Sequence, residues 1–189
     1  MMQIDYGILY FIQGLHTDFL DRIMVFLTSL GQGTTVWILV CLGMLFFKQT
    51  RKCGVLMIIS MFICDWLTED VLKQIFHRYR PFVGVLDVTI SIPRPRGYSF
   101  PSGHASHSFV AATMIYLHFK GPGRKALVLA ALIAFSRVYL FVHFPTDIVA
   151  GALLGAVLAV MIFYAIKLLD LGTGKLRDKL LEKIKIKSA

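Results

Sequence analysis

Nineteen residues, Ile148 to Ile166, pass without a charge, and Gly103 to Phe119 forms a second apolar stretch. Ala126 to Ser136 is a third, leading into Val138-Tyr139-Leu140-Phe141-Val142. Runs of this length predict helices that cross a bilayer. They place five spans at about 33–47, 53–77, 103–119, 125–141 and 146–169. Residues 1–30 are also hydrophobic but are broken by Asp5, Gly14, His16, Asp18, Asp21 and Arg22. That charge density predicts short helices at the outer interface, with a sixth span through residues 8–30 as the alternative. No basic start followed by a small-residue cleavage site marks a signal peptide. Between the second and third spans, residues 82–100 form a long loop carrying Pro93, Pro95 and Gly97, which either covers a site or joins two spans. Gly151 and Gly155 give the last span a G-x-x-x-G face for close helix approach. Beyond it, residues 170–189 set Leu176, Leu180 and Ile184 on one side among lysines, as an amphipathic helix on the inner leaflet would.

Composition agrees with one polytopic, all-α membrane domain: 57% of the 189 residues are hydrophobic. The formal charge of +9 raises nucleic acid as a partner, and the placement of the charges excludes it. Thirteen of the twenty basic residues fall at Lys48–Lys52, Lys120–Lys125 and Lys167–Lys187. If those places are cytoplasmic, the intervening segments all cross the membrane. The opposite face then holds the other seven basic and eight of the eleven acidic residues. The expected location is the cytoplasmic membrane, multi-pass, with the remaining polar blocks facing outward. Cys41, Cys53 and Cys64 are odd in number and lie in apolar stretches, which predicts packing residues rather than a disulfide framework or zinc site.

Three polar blocks punctuate this pattern, each at the same edge of a span. The first runs from Lys73 to Arg80 and closes on Pro81. If the helix continues to the residue before Pro81, Lys73 and Arg80 lie two turns apart on one face and reach one anion. Snorkelling at a span end is their plain alternative role. Asp65 and Glu69 precede Lys73 at spacings of four and are expected to hold it by i, i+4 pairing. The second block, Pro101-Ser102-Gly103-His104, opens a helix with Ser102 as N-cap; the first amides of a helix favour an anion beyond its start. Gly103 lets the backbone come close, and His104 lies within reach of the same ion. In the third, Asp147 follows His143 by four residues, and Arg137 precedes both. The carboxylate can accept from one ring nitrogen and leave the other as a nucleophile. A histidine held by an aspartate at a helix start, with no catalytic role, is the competing reading. His16, His77, His107 and His118 have no comparable partners in sequence and are read as structural.

His104, His143 and Asp147 are acceptable metal ligands, but Lys73, Arg80 and Arg137 at the same point would repel a cation. No metal or other cofactor is expected. A serine esterase using Ser102 lacks the G-x-S-x-G elbow. An anionic-lipid transporter or binding protein would need the cations without the His143–Asp147 couple.

These blocks resemble the type 2 phosphatidic acid phosphatase superfamily, whose signature is K-x6-RP, then PSGH, then SR-x5-H-x3-D. Here it reads Lys73 to Pro81, Pro101 to His104 and Ser136 to Asp147, without departure. That family includes lipid phosphatases, undecaprenyl diphosphate phosphatases, lipid A phosphatases, glucose 6-phosphatases and soluble vanadium haloperoxidases. The resemblance implies that His143 attacks phosphorus to form a phosphohistidine and that Asp147 orients it. His104 would protonate the leaving oxygen and then activate water. Lys73, Arg80, Arg137, Ser102 and the Gly103 amide would hold the phosphoryl oxygens. Undecaprenyl diphosphate is the expected substrate, with Arg78, Arg94 and Arg96 available to a second phosphate. Phosphatidic acid or phosphatidylglycerol phosphate is the alternative.

Overall fold

Helix follows helix along the described chain, residues 2–85, 88 and 90–187 of a computed structural model, and no strand occurs among them. α1 spans Met2–Gln13 and α2 Asp18–Gly31, the latter capped by the Thr17 side chain accepting from the Leu20 amide. A turn of 3-10 helix, Gln32–Thr34, leads into α3, Thr35–Leu45. α4 covers Lys48–Asp65, a π-helical stretch Trp66–Leu72 follows, and α5 is the short Lys73–Phe76. α6 is Gly103–His118, α7 Lys120–Tyr139 and α8 Pro145–Lys187.

α6 is the axle of the bundle, packed chiefly on α7 and α8 and then on α4. Its small residues Ala105, Ser106, Ser108, Ala111 and Ala112 are all buried, which lets neighbours approach closely. The G-x-x-x-G face of α8 meets it there. A Cβ on Gly155 would stand 2.2 Å from the Ser106 carbonyl oxygen, and one on Gly151 2.6 Å from that of Ser102. The motif thus serves packing within the chain. One apolar cluster, around Trp37, Met57, Met114 and the three buried free cysteines, fills the middle of the bundle. A second gathers Leu9, Ile12, Tyr139, Phe141 and Phe144 where α1 meets the α7–α8 turn. Outside, large apolar side chains such as Phe11, Phe19, Phe46, Phe62, Leu153 and Met161 stand exposed, the arrangement of a surface solvated by lipid.

α2 and α3 meet at a 50° bend, and together are long and apolar enough to cross a membrane, a property that among the described residues one single helix, Pro145–Asp170, has alone. α6 falls short because it has 16 residues and carries Ser106, His107, Ser108 and Thr113, which are buried against protein. The helix of the second expected span does not run on to Arg80: α5 stops at Phe76, where His77 adopts a left-handed φ of 45°. Side chains beyond Asp170, and with them the amphipathic face expected of the tail, lie outside the described residues.

Candidate active site

The beginnings of α6 and α8, the end of α7 and the segment after α5 meet at one end of the bundle. Ser102 caps α6, its hydroxyl accepting from the Ala105 amide at 3.5 Å, so its own proton remains free to donate. The Ser102 amide donates to the Asp147 carbonyl at 3.1 Å and ties the two helix starts together. α8 opens on Pro145, a residue suited to a first helical position, and Asp147 accepts from the Phe144 amide at 2.9 Å. The turn before it is tight. Phe141 is left-handed at φ 59°, and the Arg137 carbonyl accepts from both the Val142 and His143 amides.

That turn buries His143, with Nδ1 3.5 Å from Asp147 Oδ2 and Nε2 3.0 Å from Arg80 Nη1. A guanidinium only donates, so Nε2 is the acceptor nitrogen and Nδ1 carries the proton toward Asp147. The Nδ1 contact is long for a hydrogen bond, and we treat it as an electrostatic contact. Burial lowers the imidazole to about 3, the Asp147 contact acting against that and the Arg80 charge adding to it. Burial also lowers Arg80, with Glu69 and Asp147 opposing. Arg80 is further fixed by the carbonyls of Val142, Gly97 and Arg96. His104 points a buried, unpartnered Nε2 into the site, as Arg137 does its Nε; Arg137 Nη1 donates to Thr28.

Lys73 and Arg80 are both buried, and the chain between them turns at His77 rather than continuing as helix. Glu69 pairs with Lys73 at 2.6 Å as expected, and its Oε1 lies against Gly103. Asp65 does not pair with Lys73; it lies 3.0 Å from His107 Nε2. The π-helical stretch between them adds residues to each turn and rotates Asp65 off that face. Arg78 is occupied by Asp5 and Asp147, so it does not stand free for a second phosphate. Arg94 and Arg96 are exposed on the loop, Arg94 over the Phe82 ring. The second half of that loop is a wall of the site: Ser99 donates to Asp147 Oδ2 through its hydroxyl and to the Arg78 carbonyl through its amide. From His104 a cavity of about 640 Å³ opens between α3 and α4, polar at Asp65, Glu69 and His107 and apolar along Ile38, Leu42, Ile58, Met61 and Phe62. Among the described residues no group of three or more His, Cys, Asp or Glu side chains converges as metal ligands.

Residues 49–169 match the family model of the PAP2 superfamily. The chain belongs to that superfamily. It is 41% identical over 138 residues to an undecaprenyl-diphosphatase of Sulfolobus acidocaldarius, covering 72% of this chain and 66% of that protein. With phosphatidylglycerophosphatase B of Bacillus subtilis it shares 31% identity over 179 residues, 87% of this chain and 82% of the relative. The fold matches the crystal structure of a transmembrane PAP2 type phosphatidylglycerolphosphate phosphatase from Bacillus subtilis. There the TM-score is 0.73 and the identity 28%, over 88% of this chain and 86% of that one.

Within this PAP2 site, four contributors have no motif to announce them: Asp5, Thr28, Ser99 and Thr146. Asp5 alone left a sequence signal, a carboxylate inside an apolar segment, which calls for a buried partner. Of the other histidines, His16 stacks on Tyr139 and pairs with Asp21, His118 donates through Nδ1 to the Met114 carbonyl, and His77 meets Tyr98 edge-on.

Proposed function

We propose that the protein is a metal-independent membrane lipid phosphatase working through a phosphohistidine, with undecaprenyl diphosphate as its substrate. The observation that carries this reading is a pair of buried imidazoles at one end of the bundle: His143, whose Nε2 is an acceptor held against Arg80, and His104, whose Nε2 is unpartnered. A phosphoryl group entering between them draws Arg80, Lys73, Arg137, Ser102 and the Gly103 amide onto its oxygens. Nε2 of His143 bonds to phosphorus, and the bond to the leaving oxygen breaks as His104 gives it a proton. Water then attacks the phosphohistidine, losing its proton to His104 and releasing phosphate and neutral His143. Asp147 faces Nδ1 and supports the charge that the ring carries in between.

The apolar cavity running from His104 between α3 and α4 supports a hydrocarbon tail lying at membrane depth, with the phosphate at the headgroup level. Identity to the Sulfolobus undecaprenyl-diphosphatase and two exposed arginines on the neighbouring loop favour a diphosphate. The similarity to phosphatidylglycerophosphatase B favours a second reading, a glycerophospholipid phosphate. We place the chain in the cytoplasmic membrane, with five spans, N-terminal helices at the interface and the site facing outward.

The test is phosphate release by purified protein in detergent from undecaprenyl diphosphate, phosphatidylglycerol phosphate, phosphatidic acid and a soluble sugar phosphate at equal concentration. The diphosphate should turn over fastest, with chelator present, and vanadate should inhibit as a mimic of the five-coordinate transition state. Faster glycerophospholipid turnover selects the second reading. No release from any of them leaves a binding protein.

A further inference from the structure

Asp5 is 1% exposed in an otherwise apolar helix, a placement that costs several kcal/mol unless the charge is paired. Its Oδ2 accepts from Arg78 Nη2 at 2.6 Å and from the Thr146 hydroxyl at 2.7 Å, and its Oδ1 from the Thr146 amide at 3.2 Å. The other edge of the same guanidinium, Nη1, donates to Asp147 Oδ1 at 2.6 Å and to the Thr146 oxygen at 2.7 Å. Arg78 therefore stands between a carboxylate from the first helix and the carboxylate that faces His143. Its plane is fixed by the Phe144 ring, 4.0 Å from the guanidinium carbon.

The charges matter more than the bonds. Two carboxylates sharing one guanidinium leave a net negative charge beside His143. Were Arg78 paired with Asp147 alone, the pair would be neutral, and His143 would compete with a stronger cation for its only carboxylate. The imidazole becomes cationic once Nε2 bonds to phosphorus while Nδ1 keeps its proton, so the net charge of this cluster bears on that step.

We propose that Asp5 is a positioning residue for catalysis: it neutralises Arg78, leaving the charge of Asp147 free to stabilise the phosphohistidine that forms on His143. This rests on the phosphohistidine reading. No phosphoryl oxygen is held by Asp5, so its loss acts on the chemical step.

Asp5→Asn, equal in shape, should lower kcat roughly 10- to 100-fold, the range seen when an outer partner of a reacting group is removed, with KM nearly unchanged. Rapid quenching should show phosphohistidine forming more slowly in the variant. The double change Asp5→Asn with Arg78→Gln restores one net negative charge at Asp147, and it should exceed Asp5→Asn in kcat. If Asp5→Asn does not fold, the double variant against wild type carries the test, with kcat expected within about tenfold. Unchanged kcat per folded molecule, or a double variant as inactive as His143→Ala, overturns the inference. Absence of any phosphohistidine in the wild type overturns instead the mechanism on which it rests.

Discussion

His143 shows how much a single side chain owes to its surroundings. Its imidazole would ordinarily titrate near 6.5, and burial lowers it to about 3. Between those values the unfolded chain takes up a proton that the folded protein refuses, so His143 weakens folding progressively as pH falls below 6.5 and has no such effect above it. The penalty reaches at most about 1.4 kcal/mol per pH unit. His143→Asn should therefore gain thermal stability relative to wild type as the pH is lowered from 7 to 4.5, and a constant difference in Tm would contradict this. The same shift keeps the Nε2 lone pair available throughout neutral pH. His143 and Asp147 were legible in sequence because a spacing of four brings them together, and the cations because they stand in short polar blocks between apolar runs. Ser99 was not, and Asp5 showed only as a carboxylate in an apolar segment, since their partners Asp147 and Arg78 lie 48 and 73 residues away and no local period encodes such contacts.

At the level of elements, caps were readable and continuity was not. Ser102 announces α6, which starts one residue later, and α8 starts at Pro145, one residue before the expected span. The run from Asp65 to Arg80 reads as uniform helix because no glycine or proline interrupts it before Pro81, yet the π-helical stretch and the left-handed His77 change the phase twice. Asp65 consequently pairs with His107, while Glu69, midway through the π-helical stretch, still meets Lys73. The α6–α8 contact is the element-level feature most open to test. Gly155→Val puts a side chain where a Cβ already stands 2.2 Å from a carbonyl oxygen and 2.7 Å from the Val110 amide nitrogen, and backbone cannot yield. It should cost at least about 1–3 kcal/mol and abolish activity in whatever protein folds, by prying Ser102 from Asp147. Gly121→Ala, with nothing within 4 Å, should leave stability and turnover as they are.

For the whole molecule, the charge pattern and the helix starts agree on a single active end. A cysteine introduced at Arg94 should label from outside intact cells and one at Arg124 should not; the reverse would invert the topology. How α1 and α2 sit was beyond the sequence, because apolar helices with scattered charges satisfy an interface and a bundle equally well until their partners are known. α8 carries a further consequence. It runs unbroken from Pro145 to Lys187, with Asp147 in its first turn and Lys167 twenty residues on. At about 1.5 Å per residue that interval is about 30 Å, the thickness of a hydrocarbon layer. With α8 spanning the membrane as proposed, the helix is a ruler, reading the distance between leaflets and setting the depth of the catalytic couple by it. Reconstituted into vesicles of increasing acyl length, the protein should be fastest where the layer matches that interval. In thinner or thicker bilayers, phosphate and nucleophile fall out of level.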